Sequence, residues 1–548
     1  MNNMQMTFKP LLVLAASALL TSCAHGTSRE QARCEQLEGL KLEKARVVAA
    51  HVSGAGHKFS LATLVLAHMP FMKLPASCRV ELVLTPSEDS EIKAQVWLPL
   101  ETWNGKFQGI GNGGLAGSVD TLSLMLSLQK NYAAASTDTG HEGNDRDGTW
   151  ALHHPEKIRD YGWRAIHETA VKAKTIIEAF YGKPAEHSYF TSGSNGGRAA
   201  LMEAQRFPDD YNGILAGCPA LEPTNTLPSW AWIQQQLLFT PDAYIPDEKL
   251  ESIAAAVVKQ CDAIDGVRDG VLDDPRRCDF KPESMLCAGD DRDDCLTQPQ
   301  AKALAAAYAG PGDAVGSSKP RGFEPGGETG DQGGWKDWFT GSKPKQAVQY
   351  TYAREFYRYM VFDDPTWDLD RFEFRRDRKA MEERIGPDLD ATAPDLSRFK
   401  ARGGKLLMFH GWSDGALQPR LSIDYYENVK AKMGASRTDE FMRFYMVPGM
   451  QHCIGGPGPN NFGQMPPAGN ADPGHSIGAA LEAWVETGRA PESIVATKYE
   501  DDLKSLVAPE KTKVLRTRPV CPYPQVARWK GSGSTDDAEN FSCVAPPG

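Results

Sequence analysis

Several things are scarce in this sequence, and each shortage excludes a class of protein. None of its 11 cysteines forms a Cys-x-x-Cys pair, which disfavours zinc ribbons and thioredoxin-like dithiol chemistry. There is no long basic run and the formal net charge is −11, so nucleic acid is not an expected partner. Past the N-terminal stretch no apolar run is long enough to span a bilayer. Internal repeats and low-complexity tracts are lacking too, which argues against solenoids and disordered chains. What is present is a chain of 548 residues with 41% hydrophobic residues, enough for a large core and for more than one domain.

The N-terminus reads as a targeting segment. Lys9 is the only charge before the apolar run Leu11-Leu12-Val13-Leu14-Ala15-Ala16, and Leu20-Thr21-Ser22-Cys23 follows. A short apolar core before small residues is a secretory signal. The last four residues resemble a bacterial lipobox, which makes 1–22 a lipoprotein signal peptide and Cys23 a lipidated mature N-terminus. Any membrane contact is expected through that anchor alone; an ordinary signal peptide is the alternative. Export gives meaning to the ten other cysteines, since an even number in an oxidising compartment points to disulfides. The sequence alone leaves their pairing open.

Residues 24–78 read as a polar, partly helical segment. Strand signals then appear at Val80–Leu84 and Ile92–Leu98, with period-two alternation, and at Phe107–Ile110, Tyr132–Ser136 and Gly213–Gly217. An amphipathic helix is predicted over about 161–181, with Ile166, Ala170, Ala173, Ile176, Ile177 and Phe180 on one side. Strands alternating with helices predict an α/β fold with a mostly parallel sheet. From about 221 to 395 strand signals fade and Asp, Gly, Pro, Trp and Tyr accumulate. This part is read as an inserted lid domain between two halves of the sheet domain, 23–220 and 396–548. Strand signals resume at Lys405–His410 and Phe444–Val447, with a helix near 477–487.

The stretch Tyr189-Phe190-Thr191-Ser192-Gly193-Ser194-Asn195-Gly196-Gly197-Arg198 reads as strand, sharp turn, helix, with Ser194 at the corner. This is the nucleophile-elbow arrangement, although Ser192 stands where the Gly-x-Ser-x-Gly pattern has its first glycine. A serine hydroxyl needs a base, and the base an orienting acid. In chain order an acid and then a histidine are expected past later strands. Asp414 follows the strand at 405–410, and His452 follows the strand at 444–447. His410 precedes the acid and is read as structural. His141 lies near the pocket but out of order for the base. For the oxyanion, the amides of Asn195 and of Gly114 are the expected donors.

Trp103-Asn104-Gly105-Lys106-Phe107, Gly111-Asn112-Gly113-Gly114, Ser194-Asn195-Gly196-Gly197-Arg198, Gly411-Trp412-Ser413-Asp414 and His452-Cys453 together resemble the tannase/feruloyl esterase family of α/β-hydrolases, which includes a mono(2-hydroxyethyl) terephthalate hydrolase. The resemblance implies an α/β-hydrolase with a large lid that cleaves esters of aromatic acids through Ser194, His452 and Asp414, without an organic cofactor. It also implies a structural Ca2+ in the lid, bound by the side chains of Asp262, Asp265 and Asp269 and the carbonyls of Val267 and Val271. Three carboxylates and two glycine turns in one short loop suit such a hard cation.

By the family pattern the disulfides are Cys34–Cys78, Cys261–Cys278, Cys287–Cys295 and Cys521–Cys543. The family also has a cysteine directly before the nucleophile, bonded to the one after the catalytic histidine. Here that position is Gly193. Cys218 and Cys453 remain, and a rewired Cys218–Cys453 bridge is expected.

Trp335, Trp338, Phe339, Phe356, Tyr357, Tyr359 and Phe362 are candidate ring contacts, with Trp335 and Phe362 preferred. Arg354 and Arg358 are candidates for a substrate carboxylate, with Arg358 preferred. A serine peptidase on the same fold, or a non-catalytic surface-binding lipoprotein, remain the rival readings.

Overall fold

The computed structural model describes residues 29–56, 74–312, 321–329, 334–465, 471–505 and 509–546. The lipidation site read at Cys23 lies outside them. The frame is a nine-stranded sheet built from β1 (Ala45–Ser53), β2 (Ser77–Leu84), β3 (Ile92–Pro99), β4 (Lys106–Ile110), β5 (Ala133–Thr137), β6 (His187–Gly193), β7 (Gly213–Gly217), β8 (Lys405–Gly411) and β9 (Met442–Val447). Its order is β1-β2-β3-β5-β4-β6-β7-β8-β9. Neighbours from β1 to β5 run antiparallel, and every pair from β5 across to β9 is parallel. This is the fold of an α/β-hydrolase.

Burial explains which strands were readable. β5 (Ala-Ala-Ala-Ser-Thr) and β7 (Gly-Ile-Leu-Ala-Gly) are buried along their whole length, as expected of strands covered on both faces. β1 is an edge strand with most positions at least partly exposed and a bulge between Val47 and Ala49. It corrects the reading of 24–78 as polar and partly helical: half-exposed edge residues carry little apolar signal.

Seven helices matter for the site: α1 (Thr121–Gln129), α2 (Ala165–Tyr181), α3 (Asn195–Arg206), α4 (Pro223–Leu238), α5 (Val348–Glu355), α6 (Pro419–Met433) and α7 (Ile477–Thr487). On α2, Ile166, Ala170, Ala173, Ile176, Ile177 and Phe180 are buried against the sheet, at the three- and four-residue spacing of one helical face. Each large aliphatic side chain buried this way contributes about 1.5–3 kcal/mol. The helix stops at Gly182, whose φ of 75° closes its C-terminus.

The register aligns the site. Gly193 pairs with Gly217 across β6 and β7, and Gly411 with Val447 across β8 and β9. The loops that leave these parallel strands therefore open on one edge, the edge where α/β sheets bind ligands. The chain leaves the sheet after Gly217 and re-enters it at Lys405. The intervening helices form a second apolar core, with Leu227, Trp230, Ile233 and Leu237 of α4 packed among Tyr352, Phe356 and Tyr357.

Hydrogen bonds tie that insertion to the loops at the sheet edge. Trp230 Nε1 donates to the Ala416 carbonyl (2.8 Å), Gln349 Nε2 to the Gly415 carbonyl (3.0 Å), and Ser413 Oγ to the Gly326 carbonyl (2.9 Å). Gln451 Nε2 donates to the Thr329 carbonyl. Among the described residues no helix is long and apolar enough to cross a membrane.

Candidate active site

Ser194 sits between β6 and α3 with φ 59° and ψ −126°, a backbone conformation that costs energy for a side-chain-bearing residue and is kept where the surroundings enforce it. Its amide donates to the Gly217 carbonyl (3.0 Å) and its own carbonyl accepts from the Ala220 amide (3.1 Å), so the corner is clamped to the end of β7. Ser192 replaces the first glycine of the elbow pattern because Gly196 makes room for it: a Cβ on Gly196 would lie 1.9 Å from Ser192 Oγ.

Two further loops reach the corner. His452, five residues past β9, brings Nε2 to 3.0 Å from Ser194 Oγ. Its Nδ1 lies 3.0 and 3.2 Å from the two carboxylate oxygens of Asp414, three residues past β8. Asp414 is 2% exposed, and its Oδ1 accepts from the amides of Ala416 (2.8 Å) and Leu417 (2.9 Å). Burial alone would raise its pKa, but the adjacent His452 and His410 outweigh it and hold the carboxyl below its ordinary range. This geometry can pass a proton from a serine hydroxyl to an imidazole that a buried carboxylate orients.

Gly114 has φ +53°, and a Cβ there would fall 2.2 Å from Tyr352 Oη and 2.7 Å from the Asp145 carbonyl, so only glycine fits. Tyr161 Oη donates to the Gly114 carbonyl (2.9 Å) and pins that peptide. Asn195 opens α3, and its side-chain oxygen accepts from the buried Arg198 Nε (2.8 Å). Among the described residues no acceptor takes the amide of Gly114 or of Asn195. His141 lies below this loop, stacked on Trp150 at 3.8 Å, with Nε2 2.9 Å from the Leu115 carbonyl. Burial pushes its pKa down to about 4, so it is a neutral support.

Ser194, Asn195 and Gly114 open into a cavity of about 60 Å3 whose walls are mostly apolar, among them Leu227, Trp230, Trp338, Tyr352 and Phe356. The Trp338 ring also contacts His452 edge to face, with centroids 5.0 Å apart. The structure places the three preferred substrate contacts away from this cavity. Trp335 is buried in the lid core against Phe339, Tyr308 and Phe323. Phe362 packs on Tyr357 and Trp367. Arg358 donates to the Trp367 carbonyl and faces Asp368 at 3.8 Å. None of the three lines the cavity. Arg354 likewise turns to Glu355. Trp230 and Tyr352 do line it and were missed, because nothing in a lid sequence marks which ring faces inward.

The ten cysteines form five pairs: Cys34–Cys78, Cys218–Cys453, Cys261–Cys278, Cys287–Cys295 and Cys521–Cys543. The second ties the end of β7 to the residue after His452. It fills the space a side chain at Gly193 would need, since a Cβ there would meet Cys453 Sγ at 3.0 Å.

In the acidic lid loop, Asp262 Oδ1 accepts from the amides of Asp269 (3.2 Å) and Gly270 (2.9 Å), and Asp265 Oδ1 from that of Val267 (2.8 Å). Asp269 pairs with Arg518 (2.6 Å) and Arg516 (3.2 Å) of the strand Val514–Val520. Burial, reinforced by repulsion from Asp269 and Asp262, pushes Asp265 up to about 6. Among the described residues no N–H takes the carbonyl of Val267 or Val271. Oxygen donors with two unclaimed carbonyls are the chemistry of a hard-cation site, although the three carboxylates do not gather within 4.8 Å of one another and Asp269 is paired with arginine.

The fold, with serine, histidine and carboxylate side chains meeting at the sheet edge under a large lid, is that of an α/β-hydrolase. The chain belongs to the tannase and feruloyl esterase family, whose model matches residues 78–544, and it is a carboxylic ester hydrolase. It is 40% identical over 557 residues to an uncharacterised esterase of Xanthomonas campestris pv. campestris, covering 97% of this chain and 94% of the relative. It is 32% identical over 522 residues to the mono(2-hydroxyethyl) terephthalate hydrolase of Piscinibacter sakaiensis, covering 83% of this chain and 82% of that one. The crystal structure of feruloyl esterase B from Aspergillus oryzae superposes with a TM-score of 0.82 at 29% identity, over 94% of this chain and 100% of that one.

Proposed function

We propose that the chain is a serine esterase that cleaves esters of aromatic acids through an acyl-enzyme. The observation that carries this is the continuous line from Ser194 Oγ through His452 to Asp414, opening into an aromatic-walled cavity. Ser194 Oγ attacks the ester carbonyl while His452 Nε2 takes its proton. The tetrahedral oxyanion accepts from the amides of Gly114 and Asn195. His452 then protonates the departing alcohol, and Asp414 stabilises the imidazolium throughout. Water resolves the acyl-enzyme with His452 again as base.

The cavity supports an aromatic acyl group, since Trp230, Trp338, Tyr352 and Phe356 all line it. At about 60 Å3 it is smaller than the roughly 150 Å3 that holds a benzene ring. The relatives named for feruloyl and terephthalate esters support the same substrate class.

Asp262, Asp265 and Asp269 with the carbonyls of Val267 and Val271 would hold Ca2+, which neutralises the acidic loop and fastens the lid. The five disulfides support export to an oxidising compartment, with Cys23 as the lipid anchor.

The test is a panel of methyl ferulate, methyl gallate, chlorogenate and mono(2-hydroxyethyl) terephthalate beside 4-nitrophenyl acetate and a peptide anilide. Turnover of the aromatic esters at kcat/KM above that for acetate is expected, and a preference for the anilide would overturn the reading. Removing Ca2+ with EDTA is expected to lower Tm, with recovery on adding Ca2+ back.

A further inference from the structure

The triad acid carries a second imidazole. His410, the penultimate residue of β8, is 1% exposed, and its Nε2 lies 3.1 Å from Asp414 Oδ2. That is the same oxygen that takes the Nδ1–H of His452 at 3.0 Å. The other ring nitrogen of His410, Nδ1, lies 2.8 Å from Oγ of Ser422, which is fully buried on α6. A serine hydroxyl can donate there, which leaves Nε2 as the ring nitrogen whose N–H faces the carboxylate. Asp414 Oδ1 is meanwhile held by the amides of Ala416 and Leu417. Four N–H groups converge on one buried carboxylate, two of them backbone and two of them imidazole.

We propose that His410 is a positioning residue of the ester hydrolysis: fixed by Ser422 with its hydrogen on Nε2, it pins Oδ2 of Asp414 in the orientation that aims the His452 ring at Ser194. The proposal rests on the serine-esterase reading above. The two backbone donors hold only Oδ1, so without His410 the one remaining partner of Oδ2 among the described residues is His452 itself. Oδ2 then follows His452 rather than directing it. His410 does not line the cavity, so its loss acts on the chemical step and not on substrate binding. Sequence order set this residue aside, because a histidine ahead of the acid cannot be the base. Contact with the acid needs no particular order.

The test compares His410→Met, His410→Gln and Ser422→Ala with wild type and Ser194→Ala on 4-nitrophenyl acetate, with Tm measured for each. His410→Met removes the donor and keeps apolar bulk; it is expected to lower kcat about tenfold or more with KM little changed. His410→Gln returns an N–H toward Oδ2 and is expected to recover most of that loss at a similar Tm. Ser422→Ala leaves the ring in place but frees its tautomer, and a smaller fall in kcat is expected. Wild-type kcat in His410→Met overturns the proposal. So does an equal loss in the Met and Gln variants, or, if His410→Met does not fold, wild-type kcat in Ser422→Ala. Turnover retained in Ser194→Ala removes the serine-esterase reading, and this proposal with it.

Discussion

The hydroxyl of Ser194 and Nε2 of His452 lie 3.0 Å apart although 258 positions separate them in the chain. The distance is set by strand register: β6, β7, β8 and β9 run parallel, and the loops beyond their C-terminal ends share one edge. The Cys218–Cys453 bridge then ties the His452 loop to the end of β7.

That bridge makes the first prediction. Cys218→Ser is expected to destabilise the fold by about 2–5 kcal/mol, as loss of a native disulfide closing a long loop does. It should also lower kcat more than it raises KM, because the freed loop carries the base. Chemical denaturation and steady-state kinetics on the same preparation check both.

Gly114→Ala places a Cβ 2.2 Å from Tyr352 Oη on a backbone with φ +53°. The loop must move, and the Gly114 amide with it. A fall in kcat of about 10²–10³-fold is expected, the size associated with losing one oxyanion donor. Unchanged kcat would assign that role to another donor.

The chain-ordered serine, acid and histidine were legible because each follows a strand whose apolar run is plain in the sequence: Tyr189–Thr191, Lys405–His410 and Phe444–Val447. The lid rings were not. Trp335 and Trp338 are three residues apart, yet one is lid core and the other touches His452. Nothing in a segment without sheet or helix periodicity says which face a ring takes. β1 was missed for the opposite reason, being an edge strand with few buried positions. His410 was visible as a residue but not as a partner, since hydrogen bonding to Asp414 depends on the turn between them.

The misplaced aromatic and cationic contacts give a paired prediction. Trp338→Ala should raise KM for aromatic esters about tenfold, roughly the contribution of a ring contact with its buried area. Arg358→Ala should leave kcat/KM unchanged, because its guanidinium faces Trp367 and Asp368. A selective loss on mono(2-hydroxyethyl) terephthalate in Arg358→Ala would return that arginine to the site.

Asp414 has a carboxyl held below its ordinary value near 4 in the folded state. A lowered folded pKa means that ionised Asp414 stabilises the fold at pH above that ordinary value, and that this contribution is lost as pH falls through the folded pKa. Asp414→Asn should therefore be less stable than wild type at pH 7, with the gap narrowing steadily below about pH 4. Thermal unfolding of both proteins from pH 7 to pH 3 checks the sign. At pH 7 the same variant should lose about 10⁴-fold in kcat, because the amide no longer holds the tautomer of His452 that a base requires.

The most direct measurement is peptide mapping after reaction with a fluorophosphonate, paired with ester turnover by Ser194→Ala. One adduct per chain on the peptide bearing Ser194 is expected, with no adduct in Ser194→Ala and turnover reduced about 10⁴-fold or more. An adduct on another residue, or an Ser194→Ala variant that hydrolyses esters at the wild-type rate, would contradict a nucleophile at the β6–α3 corner.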